Sequence, residues 1–249
     1  MRITTLGTGH GNPTYCRFNS STLVEAAGGL YLIDAGAPVH ALLIRHGKDW
    51  QRLRAAFITH MHEDHVAGLP SMIKMLLKYP TEGMHFQAFL PEAAAIGPLE
   101  GWLSAMRLAW PSPLVSLAPL AEGTVYADDA VTVTAIGTRH IRDGDEPISF
   151  AYLLEAEGKR ALFTGDLTAD FADFPPVART GPCDLLVTEI THVDPAAALA
   201  VLKAHPMGRL VLTHVGDPWH GEGEARLKGI FASLPQPFDV AHDGDVFEV

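Results

Sequence analysis

The chain has 249 residues, 47% of them hydrophobic, which excludes a disordered chain and allows one substantial core. Its 18 basic and 29 acidic residues give a formal charge of −11 with no visible Lys/Arg cluster. Such a surface repels a phosphate backbone, so long nucleic acid is not expected as a partner, whereas a small anionic substrate remains compatible with a local cationic site.

Apolar or alternating runs bounded by glycine, proline and polar residues predict strands at 3–6, 21–25, 30–34, 55–59 and 86–90. Further strands are predicted at 131–136, 150–155, 160–164, 185–188, 210–213 and 246–249. Helical spacing is read at 39–46, 69–77, 98–109, 195–204 and 222–231. The fourth helix has the clearest bounds, with Asp194 as N-cap, Pro195 in the first turn and Gly208 beyond its end. The stretch 79–123, with Trp102, Met106, Leu108 and Trp110, reads as an amphipathic helix packed on the body; a cap over the site or a dimer surface are the alternatives. No repeat or interdomain linker interrupts the chain, so 1–249 is read as one domain.

No apolar run reaches membrane-spanning length, and Met1-Arg2-Ile3-Thr4-Thr5-Leu6 leads into a strand rather than a signal peptide. Cys16 and Cys183 are read as free thiols in a reducing compartment, and a cytoplasmic location is expected. A homodimer is the expected assembly.

The densest chemistry lies in Thr59-His60-Met61-His62-Glu63-Asp64-His65, directly after the apolar run Ala55-Ala56-Phe57-Ile58. Imidazole nitrogen and carboxylate oxygen are the usual non-thiolate zinc donors. Strand alternation would point His60 and His62 the same way, with Asp64 and His65 turning to a second position and Glu63 pointing away. Two ions need more donors than one loop supplies. His140, Asp166 and His214 each follow a predicted strand, where a sheet presents functional groups. Asp34 also follows a strand and could orient a ligand imidazole.

These residues resemble the metallo-β-lactamase superfamily of binuclear hydrolases, with His60-x-His62-x-Asp64-His65 as its signature and Asp34, His140, Asp166 and His214 matching its other motifs in order. The resemblance covers nearly the whole chain. It implies an α/β fold, a four-layer αββα sandwich of two mixed β-sheets flanked by helices. It also implies that His60, His62 and His140 hold one metal, that Asp64, His65 and His214 hold a second, and that Asp166 bridges them. Two divalent ions are expected, with zinc first and manganese or iron also compatible with the donors.

The opening Leu6-Gly7-Thr8-Gly9-His10-Gly11-Asn12-Pro13 and the closing Ala241-His242-Asp243-Gly244-Asp245 resemble the RNase Z-like branch, which includes small cyclic-phosphate phosphodiesterases. Two departures stand out. Only 141–165 lies between His140 and Asp166, where RNase Z carries a tRNA-gripping arm. Thr188-Glu189-Ile190-Thr191 replaces a His-Glu-Ala-Thr motif, so its proton-shuttling histidine is Thr188 here while Glu189 remains. Asp64 and Glu189 are the candidate catalytic carboxylates.

The expected function is a metal-dependent hydrolase, a phosphodiesterase using a water bridging the ions. Lactone, thioester or β-lactam cleavage on the same ions is the alternative, and a catalytically silent metal-binding protein is the reading outside enzymology. A flavin-linked di-iron protein is disfavoured, because His62 stands where those relatives place glutamate. His192 reads first as a surface or capping residue and second as a substitute proton shuttle. Trp219 and His220 are read evenly as substrate contacts or exposed loop, and His10 is not assigned a role. The Gly7-x-Gly9-x-Gly11 run is not a dinucleotide fingerprint, because no helix follows it.

Overall fold

A computed structural model describes residues 1–12, 14–179 and 181–249; Pro13, part of the glycine-rich opening motif, lies outside the described residues. Two seven-stranded mixed sheets form the body. In spatial order the first holds Val246–Glu248 (β16), Arg2–Gly7 (β1), Ser21–Ala26 (β2), Gly29–Ile33 (β3), Leu53–Phe57 (β4), Phe86–Leu90 (β5) and Val115–Pro119 (β6). The second holds Phe238–Val240 (β15), Met207–Val215 (β14), Cys183–Ile190 (β13), Lys159–Phe163 (β12), Phe150–Ala156 (β11), Thr132–Gly137 (β8) and Gly123–Ala127 (β7). A two-residue hairpin, Arg142–Asp143 (β9) with Glu146–Pro147 (β10), projects between β8 and β11. In each sheet four strands run parallel to one another and the remaining pairings are antiparallel.

Side-chain alternation builds the layers. All five residues of β3 are buried, yet Tyr31 and Ile33 join the core between the sheets while Leu30 and Leu32 face the outer helices. Phe57, Tyr152, Phe163 and Val187 fill the space between the sheets. Val39–Arg45 (α1), Leu69–Lys78 (α3) and Ile96–Ala105 (α4) cover the first sheet, contributing Leu42, Met72, Ile73 and Leu103. Pro195–Lys203 (α5) and Glu222–Phe231 (α6) cover the second, through Ala198, Leu202, Leu227 and Phe231. The four-residue Glu63–Val66 (α2) carries buried Asp64 and His65 and belongs to neither layer. The result is the αββα sandwich expected. No helix among the described residues is long and apolar enough to cross a membrane.

The stretch 79–123 contributes β5 and β6 to the first sheet, with α4 between them packed through Leu103 and Trp102 left 58% exposed. Strands β6 and β7 were not anticipated. β6 buries only Val115 fully and ends in a proline, and β7 buries none, so neither carries a two-sided hydrophobic signal.

Asp128 ties the two sheets. Its Oδ2 accepts from Tyr31 Oη at 2.6 Å, Tyr126 Oη at 2.9 Å and Arg54 Nη1 at 2.9 Å, and its Oδ1 accepts the Ala130 and Val131 amides. Burial alone would raise this carboxyl, but the Tyr31 and Arg54 hydrogen bonds outweigh it and hold it well below the usual range. A depressed folded-state pKa stabilises the fold above the unfolded value, and that stability is lost as pH falls below about 4. Metal-free Asp128→Asn is therefore expected to lose less melting temperature than metal-free wild type between about pH 5 and pH 2. Parallel acid melting curves would contradict this.

Candidate metal centre

The ends of six strands converge at one edge of the sandwich. Beyond β4, an extended segment carries Thr59 and buried His60 to exposed His62, which stands at the N-terminal cap of α2. His60 and His62, expected to share a face by strand alternation, lie in the extended segment beyond the strand, and the helical turn α2 delivers the buried pair Asp64 and His65, with Glu63 facing solvent. His140 follows β8, and Asp166 follows β12 through Gly165. Gly165 has φ +59° and lies so close to Thr59 that a Cβ would approach within 2.9 Å, so a side chain there would displace the loop. His214 sits at φ +47° where the pairing of β13 and β14 slips by one residue, an irregularity that re-aims its ring.

Asp166 Oδ2 is the hub. It lies 3.6 Å from His60 Nε2, 3.5 Å from His65 Nε2, 3.8 Å from His140 Nε2, 3.8 Å from His214 Nε2 and 3.3 Å from His192 Nδ1. On one side His60 Nε2 and His62 Nδ1 are 2.9 Å apart, and these rings group with His140 and Asp166. On the other, His214 Nε2 is 3.0 Å from Asp64 Oδ2 and 3.1 Å from His65 Nε2, forming an Asp64, His65 and His214 group. Donors at about 2.0–2.1 Å from a tetrahedral ion stand about 3.3 Å apart, so these spacings suit metal coordination.

The polar bookkeeping agrees. Both Asp166 carboxylate oxygens and His140 Nε2 are buried without a hydrogen-bond partner. Leaving such a group unsatisfied costs about 1–3 kcal/mol, more for a charge, and a bound cation removes that penalty. Burial opposes ionisation of Asp166, yet His214 and His65 hold its carboxyl well below the usual range. Burial likewise opposes ionisation of Asp64, but the His214 hydrogen bond brings it to about 2. Burial lowers His60 to about 2 and also lowers His140, which keeps their lone pairs free to bind a cation.

Asp34, at φ +61° after β3, orients this cluster. Its Oδ1 accepts the Thr59 amide at 2.7 Å, and its Oδ2 accepts the Thr59 hydroxyl at 3.0 Å and His65 Nδ1 at 2.7 Å. That last bond places the His65 proton on Nδ1 and leaves Nε2 for a cation. Asp34→Ala is expected to weaken metal affinity by about 10–100-fold while the fold persists, read by competition with a chelating dye. Unchanged affinity would remove Asp34 from this role.

His192, read first as a surface or capping residue, is exposed, and its ring also faces the donor cluster, with Nδ1 3.3 Å from Asp166 Oδ2. Its Nδ1 lies 3.0 Å from Glu189 Oε2, and its ring centroid is 4.9 Å from that of His140. The hydrogen bond to Glu189 raises it to about 9, with burial opposing. Glu189 is held by the amides of Leu167, Thr191 and His192. In the sequence Glu189 stood out by its place in the Thr188-Glu189-Ile190-Thr191 motif, and His192 by following that motif as a substitute proton shuttle. Thr188 is buried, and its hydroxyl accepts a hydrogen bond from that of Thr164 at 3.0 Å. His10 and His220 come together with Asp217, which the sequence did not single out. His242 pairs with Glu224 at 2.9 Å on a different element.

Residues 1–220 match the family profile described as Anti-Pycsar protein Apyc1. The chain belongs to this family. Among curated relatives of this Apyc1-family chain, ribonuclease Z of Bradyrhizobium diazoefficiens is 28% identical over 281 residues, covering 88% of the chain and 91% of the relative. Ribonuclease Z of Bacillus licheniformis is 30% identical over 307 residues, covering 96% and 97%. The solved structure of Zn2+-bound PqqB from Methylobacterium extorquens superposes with a TM-score of 0.71 at 17% identity, covering 100% of both chains, a likeness of fold. The chain is thus a metallo-β-lactamase-fold hydrolase of the RNase Z-like branch, as its motifs implied.

The relatives overturn one expectation. Long nucleic acid was excluded on charge, but proteins named ribonuclease Z match nearly the whole chain. The physical reason is that net charge sums over the entire surface, whereas a phosphate meets the local field at a cleft. A formal charge of −11 therefore does not exclude an RNA partner.

Proposed function

We propose that the chain is a dinuclear metal-dependent phosphodiesterase acting on small phosphate esters. The observation that supports this most is the position of Asp166 Oδ2 between two donor groups, within 3.8 Å of His60, His65, His140 and His214. In this reading His60, His62 and His140 hold one ion, Asp64, His65 and His214 hold the other, and Asp166 serves both. Zinc suits the imidazole and carboxylate donors, and manganese and iron are compatible with them. Bound divalent ions supply an activated water near neutral pH and neutralise phosphoryl charge.

The chain's own groups complete the chemistry. Asp64 is ionised through the working range and is the carboxylate placed to accept a proton from the attacking water. Glu189 has its oxygens committed to backbone amides and to His192, so it acts as a positioning residue. His192 is 38% exposed, its pKa is raised by the Glu189 hydrogen bond, and it lies 3.3 Å from the Asp166 hub, so in this reading it protonates the leaving oxygen.

The test is hydrolysis of bis(p-nitrophenyl) phosphate by metal-loaded protein, with His62→Ala as blank, followed by cyclic nucleotides, sugar phosphates and a tRNA precursor. Turnover lost in the variant supports the reading. No phosphodiester turnover in protein that holds two ions would sink it and favour lactone or thioester substrates.

A further inference from the structure

We propose that His10, Asp217 and His220 form a further, weaker divalent transition-metal site at the rim of the centre. His10 lies in the glycine-rich loop after β1, and the other two lie in the loop after β14; Thr8 accepts the Val215 amide and brings the two segments together. His10 Nε2 is 2.9 Å from Asp217 Oδ1, and His220 Nδ1 is 3.9 Å from the same oxygen. These two spacings bracket the edge of about 3.3 Å expected between donors on one tetrahedral ion.

The orientation of His220 is what favours a metal over a simple ion pair. Its Nε2 donates to the Val215 carbonyl at 2.8 Å, so the proton sits on Nε2 and the Nδ1 lone pair is turned toward Asp217. A backbone carbonyl fixing the tautomer in this way is the usual support for a metal-binding imidazole. His10 is buried while Asp217 is 66% exposed at its side chain, so the set is anchored on one side and open on the other, leaving positions for water or a phosphoryl oxygen. One contact opposes metallation. The Asn12 amide approaches His10 Nδ1 at 3.3 Å, and that nitrogen must carry the proton once Nε2 binds an ion. The site is therefore weaker than the central pair. Its place is suggestive, because the next residue, Gly11, faces the Asp64 carboxylate, with a Cβ there 3.7 Å from Oδ2. An ion at the rim would add positive charge where an anionic substrate approaches the centre.

The experiment is equilibrium dialysis of the full chain against Zn2+, with bound metal counted by elemental analysis, for wild type, His220→Ala and Asp217→Asn. Asp217→Asn keeps shape and removes only the charge at an exposed position, so it guards against a folding defect in His220→Ala. The expected result is one additional, weaker equivalent in wild type that both variants lack, the tighter equivalents being equal in all three. Equal metal content at saturating Zn2+ in wild type and both variants would overturn the proposal. The comparison is a difference between variants, so it holds whatever number of ions the central cluster takes.

Discussion

Asp166→Ala is expected to release metal from both central donor groups and to lower phosphodiester hydrolysis by at least ~10^3-fold. The reasoning starts from its place among the imidazoles. Its Oδ2 lies within 3.8 Å of His60, His140, His65 and His214, two from each donor group. In the proposed reading, removing it takes away the one carboxylate that, among the described residues, faces both donor groups, and would leave two neighbouring cations without an anion between them. A residue that merely orients a ligand costs about 10–100-fold in affinity, the expectation for Asp34. Asp166 should therefore exceed Asp34 clearly, and Asp166→Asn should behave like the alanine variant because charge, not volume, is what it supplies. Metal content by elemental analysis and kcat on the same preparation check this. An Asp166→Asn protein that keeps two ions and full turnover would refute the shared-ligand assignment.

The gathering of the candidate donors was legible because it combines a local pattern with remote groups in fixed positions. His60, His62, Asp64 and His65 are adjacent in sequence, and His140, Asp166 and His214 each mark a strand end, which one sheet edge then gathers. The strands were legible where both faces are buried, as in β3 and β11. What stayed hidden has a common cause, since nothing local announces it. His10 and Asp217 meet across 207 positions through a bond that no periodicity encodes. His192 follows a strand and precedes the cap of α5, so its sequence context suggests a surface turn. Only the fold reveals that this turn closes over Asp166. The short edge strands β6 and β7 are half-exposed and lack the alternation that marks inner strands.

His192→Ala should lower kcat by about 10^2–10^4-fold on esters with a poor leaving group, such as alkyl phosphodiesters, and much less on bis(p-nitrophenyl) phosphate. A general acid matters in proportion to the basicity of the departing oxygen, and p-nitrophenolate leaves readily without a proton. A residue that only supports the fold would depress both substrates alike, so the ratio separates the two roles. The pH profile carries the same logic. The Glu189 hydrogen bond raises His192 to about 9, so the protonated acid is present below that value and lost as pH rises through it. Bound cations oppose this and bring the limb lower, and Glu189→Gln should bring it lower again by removing the carboxylate charge. In His192→Ala the alkaline limb assigned to this ring should vanish. If His192→Ala slows both substrates equally and keeps the wild-type alkaline limb, the proton comes from elsewhere, and Glu189 and His192 are a structural pair at the end of β13.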